Sequence, residues 1–139
     1  MSFPYLTAFT AGSLLILQML LGFLTSGARG AAGQWIGYGD DAALLRAARR
    51  HGNLAENSGI FIAGFLLLEL SRWNPQALAG LCAAFIVARL LHAIGLSQAN
   101  TNNLFRLLGG VGTYLLGFAL GGLLIFIGLH AATAAKAFG

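Results

Sequence analysis

The sequence predicts an all-α integral membrane protein, a four-transmembrane-helix bundle, on three observations. Its residues are 58% hydrophobic and only 9% charged, with a mean hydropathy of +0.78, far from the roughly 25% charged of a soluble domain. Four long apolar stretches follow one another, separated by short polar or breaker-rich connections. A crossing takes about 20 apolar residues, so four spans consume nearly all 139 residues and the chain reads as one membrane domain, 1-139.

Span one is expected over 5-24, with Gln18 its one strongly polar interior residue and the stretch Ser26 to Gly33 as its breaker. No basic segment precedes it, so it is expected to remain as a span and not to be removed as a signal peptide. Trp35 and Tyr38 in the following loop suit an interfacial aromatic belt, and Asp40-Asp41 offers an N-cap for span two, 42-70. The first turns of that span are polar, so it projects from the bilayer before entering it. Asn74-Pro75 pairs a cap with a proline at the first helical position and starts span three, 76-96. A polar loop from Ser97 to Asn103 leads to span four, 104-130, which is glycine-rich and carries the GxxxG spacing at Gly117 and Gly121 that permits close helix approach.

Four spans put the loops after spans one and three on one side, with Arg29, Arg46, Arg49, Arg50 and Arg106. Arg72 and Lys136 fall on the other, and Arg89 lies inside span three. Five, two and one account for all eight basic residues. The positive-inside rule then predicts both termini on the periplasmic side. Membrane topology explains the net charge of +4 better than nucleic acid does, since the basic residues flank apolar spans and form no aromatic-interleaved patch. The single Cys82 reads as a small core hydrophobe, and Glu69 as half of a surface ion pair with Arg72.

At about 100° per residue, Arg46, Arg49, Arg50, Asn53, Glu56 and Asn57 share an arc of about 120° on span two, and His51 points away. Glu56 is about 9 Å along the helix from Arg50 and so lies within the apolar boundary. Arg89 and His92 are i,i+3 neighbours near the same end of span three, and Arg106 opens span four. Three helices thus bring ionisable groups to one level, on the predicted cytoplasmic half. Such groups in a membrane normally face a bundle interior, a partner or a ligand. Two accounts stay open. Glu56 ties the helices together by pairing with Arg49 or Arg89, or an anionic ligand, a lipid headgroup or a small cofactor, balances arginines that one carboxylate cannot. Arg46 and Arg50 taken singly read as snorkelling interfacial anchors. No phosphate loop, zinc motif or nucleophile elbow occurs, and no metal is expected.

The run Arg49-Arg50-His51-Gly52-Asn53-Leu54-Ala55-Glu56, followed by Ala88-Arg89-Leu90-Leu91-His92-Ala93-Ile94-Gly95-Leu96, resembles the MAPEG family, the membrane-associated proteins in eicosanoid and glutathione metabolism. Tyr38-Gly39-Asp40-Asp41 and the Arg-x-x-His-x-x-Gly at 89 to 95 resemble its bacterial inner-membrane branch in particular. The resemblance implies a homotrimer of four-helix subunits embedded in membrane lipids. It implies glutathione as co-substrate, bound between subunits in the cytoplasmic half, and a lipophilic small-molecule substrate arriving from the bilayer. Arg49, Asn53 and Glu56 then match the positions that hold glutathione's polar backbone, His92 a span-three contact, and Arg29 a carboxylate-binding arginine, and Arg89, beside His92 on span three, is expected in the same binding set. Arg106 matches the catalytic arginine that stabilises the thiolate.

The implied activity is that of a glutathione-dependent transferase or peroxidase. A non-catalytic protein binding a lipid or other anion at the same site is the alternative. Active members often carry a tyrosine one turn after the His92 position, where this chain has Leu96. An aromatic position after the glutamate is Asn57, and no tyrosine follows Arg106 until Tyr114.

Overall fold

The computed structural model describes residues 3-100 and 102-138, with side chains described up to 134. Thr101 of the polar loop and the side chain of Lys136 therefore lie outside the described residues. Four helices alternate in direction: α1 (Tyr5–Ala32), α2 (Ala42–Leu70), α3 (Pro75–Ser97) and α4 (Leu104–Phe138). Each contains a stretch long and apolar enough to cross a membrane.

The middle helices begin where their caps place them. Asp41 accepts from the backbone N–H groups of Ala43 and Leu44 at 2.8 and 2.9 Å, and Asn74 from that of Ala77 at 3.0 Å, with Pro75 supplying a first-turn residue that needs no donor. Both outer helices run past their expected ends. α1 does not stop at Leu24, because glycines within a helix cost only about 1 kcal/mol each and Thr25 fastens the extension to α2. Its hydroxyl donates to Leu21 O at 2.8 Å and lies 3.1 Å from Ala47 O. The helix ends at Gly33, whose φ of 65° permits the left-handed cap, and Gln34 N–H closes onto Arg29 O. α4 passes 130 because Ala131, Ala132, Ala134 and Ala135 are strong helix formers with no breaker among them.

The start of α1 has no cap of its own, and α2 provides one. Glu69 Oε1 and Oε2 accept from the backbone N–H groups of Leu6 and Thr7 at 2.9 and 2.8 Å. This replaces the expected pair with Arg72. The i,i+3 rule fails there because Arg72 has left the helix, with φ of 57°, to form the turn that closes α2 through Trp73 N–H to Leu68 O.

Packing is densest between α3 and α4 and between α1 and α2, and among the described residues α1 and α4 do not meet. Phe61 and Phe85 stack at 3.9 Å in the centre, with Phe65 edge-on to Phe85, and Leu14, Leu68 and Leu78 fill the space around them. The close helix approach expected at Gly117 and Gly121 is not where α4 meets its neighbours most tightly. A Cβ on Gly121 would touch nothing within 4 Å. On Gly109, by contrast, it would collide with the backbone of Ala88 and His92, and on Gly95 with the backbone of Arg106. These two glycines let α3 and α4 cross backbone to backbone at the level of the polar groups.

Candidate functional site

α2, α3 and α4 enclose a cleft of about 370 Å³ at the end of the bundle that carries the α1–α2 and α3–α4 connections. α2 contributes Arg46, Arg49 and Asn53, one turn apart along its polar stripe. α3 contributes His92 and α4 contributes Arg106 and Tyr114, with Leu45 and Leu96 as apolar lining. A second cleft of about 290 Å³ shares His92, Arg106 and Tyr114 and continues past Asn102, Asn103 and Val111.

Local structure explains why Arg106 and His92 face each other across α3 and α4. The Gly95–Gly109 crossing brings the two backbones together. Asn103 then pins the start of α4 to the end of α3. Its Nδ2 donates to Gly95 O at 2.9 Å and Asn100 O at 2.7 Å, and its Oδ1 accepts from Arg106 N–H at 3.0 Å.

Among the described residues the polar lining is three arginines, an amide, an imidazole and a phenol, with no carboxylate. Guanidinium groups donate and never accept, and their planar fork fits a carboxylate in bidentate fashion. The cleft is thus built to receive an acceptor-rich, negatively charged group.

The expected site residues separate into three groups. Arg49, Asn53, His92 and Arg106 come together in the cleft. Arg89 lies behind it, 2% exposed, donating to Asn53 Oδ1 at 2.9 Å and to Gly109 O at 3.5 Å, with its guanidinium 5.9 Å from the Phe85 ring centre. It meets Asn53 and a backbone carbonyl, not Glu56. Arg29 is outside the cleft. Its Nη1 donates to the carbonyls of Gln34, Trp35 and Gly37 at 3.3, 3.3 and 2.8 Å, and so folds the α1–α2 loop over the helix end.

Glu56 lies on the outer edge of the stripe and is exposed. Arg50, on the opposite edge, donates to Ser97 Oγ at 2.7 Å, and Asn57 turns back to donate to Asn53 O at 2.8 Å. Two lining residues stand outside the expected set. Arg46, expected as an interfacial anchor, lies one turn before Arg49 on the same stripe, and Tyr114 lies about two turns beyond Arg106 on α4.

A model of the MAPEG family matches residues 7–126, from the first turns of α1 through most of α4 and including every residue that lines either cleft. The chain belongs to the MAPEG family. No curated protein matches it. Membership supports a glutathione-related membrane function at the level of the family. In this MAPEG chain the span-two and span-four arginines share one cleft, with Leu96 of α3 and Tyr114 of α4 also in its lining.

Proposed function

We propose that this MAPEG protein is a glutathione-dependent transferase or peroxidase acting on lipophilic electrophiles within a bacterial inner membrane. The observation that carries the reading is the cleft in which Arg46, Arg49 and Arg106 converge with no lining carboxylate among the described residues. Glutathione brings two carboxylates, a thiol and an ammonium. Arg46 and Arg49 receive carboxylate, Asn53 a neighbouring polar group of the tripeptide, and Arg106 lies beside the sulfur.

A free thiol has a pKa of about 8.5 and is mostly protonated at neutral pH, and an adjacent guanidinium favours the thiolate. In conjugation the thiolate forms an S–C bond to the electrophilic carbon as the carbon–leaving-group bond breaks, and the leaving atom keeps the electron pair and takes a proton. In peroxide reduction two thiols become a disulfide while the hydroperoxide becomes an alcohol and water.

A homotrimer completes the site in this reading. Glu56 is a carboxylate at membrane depth exposed on the outside of the subunit, an arrangement too costly to leave facing lipid. A neighbouring subunit beside it turns that exposure into an interface, with Glu56 available to the ligand's ammonium.

Calorimetric titration of glutathione into detergent-purified protein tests this. Wild type binds, Glu56→Gln weakens binding by about tenfold or more, and Arg106→Ala keeps the assembled state but loses turnover with a lipophilic electrophile. Absence of binding up to millimolar glutathione in a folded oligomer overturns the assignment. It would favour instead a non-catalytic anion or lipid site, which the chain's missing tyrosine at Leu96 fits.

A further inference from the structure

Among the described residues, the cleft side chain to which the buried guanidinium of Arg89 hydrogen-bonds is Asn53. We propose that Arg89 is a positioning residue: it fixes the side-chain oxygen of Asn53, turns the amide NH2 toward the cleft, and so makes Asn53 a donor to a carboxylate or carbonyl oxygen of the bound ligand. The proposal rests on the glutathione reading for the identity of that ligand, but not for the orientation of the amide.

The chemistry of the pair sets the orientation. A guanidinium has only donors, so the atom facing Arg89 Nη1 at 2.9 Å must be an acceptor. The flipped amide would set donor against donor. With Oδ1 held, Nδ2 lies on the other side of the amide plane's axis and makes no hydrogen bond with any described residue, while the side chain as a whole lines the cleft. Every fixed polar group contributed by α2 to the cleft is then a donor, and the carboxylate end of the ligand belongs on α2.

The arrangement is otherwise hard to explain by stability. Arg89 is 2% exposed, one of its two other contacts is a 3.5 Å bond to Gly109 O, and its Nε has no partner. A buried cation that meets neutral oxygens and one aromatic face but no carboxylate is poorly compensated for its lost hydration, and apolar replacement of such groups is often neutral or stabilising. A residue kept for packing would not be built this way.

The experiment compares wild type with Arg89→Met, Arg89→Lys and Asn53→Asp, reading both thermal midpoint and glutathione affinity. Arg89→Met retains or raises the midpoint while its affinity falls by about tenfold, the size of one lost hydrogen bond to a charged group. Arg89→Lys, which still donates to Oδ1, recovers affinity to within about threefold of wild type. Asn53→Asp places a second carboxylate oxygen where the donor was and weakens binding by about tenfold or more.

Binding by wild type with all three variants unchanged overturns the positioning role alone. A lowered midpoint in Arg89→Met with unaltered affinity shows a packing role and overturns it too, as does tighter binding by Asn53→Asp, which would mean that the amide presents its oxygen. Should Arg89→Met fail to fold, the other two variants decide. No binding by wild type removes the glutathione reading and this inference with it.

Discussion

A single carboxylate joins the two ends of the chain's first hairpin. Glu69 sits in the last turn of α2, yet both its oxygens are spent on the first N–H groups of α1, sixty-three and sixty-two residues earlier. A helix start exposes unpaired donors and a partial positive charge, so an anion there satisfies both at once. Hydrogen bonds to a charged group contribute about 1.5–3 kcal/mol each at most, with exposure reducing the sum. Glu69→Ala is expected to lower stability by about 2 kcal/mol, read as a drop in the thermal midpoint in detergent, and Glu69→Gln, which keeps one acceptor oxygen, by less. An unchanged midpoint in Glu69→Ala would remove the cap from the stability of the bundle. The sequence pointed this residue at Arg72 because spacing carries no information about where a helix stops, and the left-handed turn at Arg72 is a tertiary choice.

At the scale of the element, the starts of α2 and α3 were legible because each is written in a local code, Asp41 and Asn74-Pro75, that competes with nothing. The ends of α1 and α4 were not, because Gly27 and Gly30 weaken a helix without breaking it and Thr25 holds the extension by contacts with α2. The lining of the candidate cleft was legible in the same uneven way. Arg49, Asn53, His92 and Arg106 share one level, which rise per residue predicts, but which of them touch depends on how α3 and α4 cross. That crossing rests on Gly95 and Gly109, not on the GxxxG pair that spacing favoured. Gly109→Ala forces a methyl group into the backbone of α3 and is expected to cost about 1–3 kcal/mol or more and to displace His92 from Arg106. Gly80→Ala, also within a helix but with open space around its Cβ, is expected to be neutral or stabilising by up to about 1 kcal/mol. Thermal midpoints and glutathione titration of the two variants provide the check, and equal effects would show that the crossing does not set the site.

For the whole molecule, the fold collects Arg29, Arg46, Arg49, Arg50 and Arg106 at the end that bears both clefts, and leaves Arg72 at the other with Glu69, Trp73 and the start of α1. For charge asymmetry of this kind the positive-inside rule predicts the basic end in the cytoplasm. The chemistry proposed for the clefts requires the same orientation independently, since a thiol co-substrate is kept reduced in the cytoplasm and oxidised outside it. A C-terminal reporter that matures only outside the cytoplasm should therefore be active, and a reporter that functions only inside should be silent when fused at the same place. The reverse pattern would turn the arginine cleft toward the oxidising side, where a thiolate mechanism has no supply of its reductant, and would leave an anion-binding role for the same residues. A reversed topology would thus exclude the thiolate reading before any substrate is known, because the arginines that would bind the ligand are the ones the positive-inside rule reads.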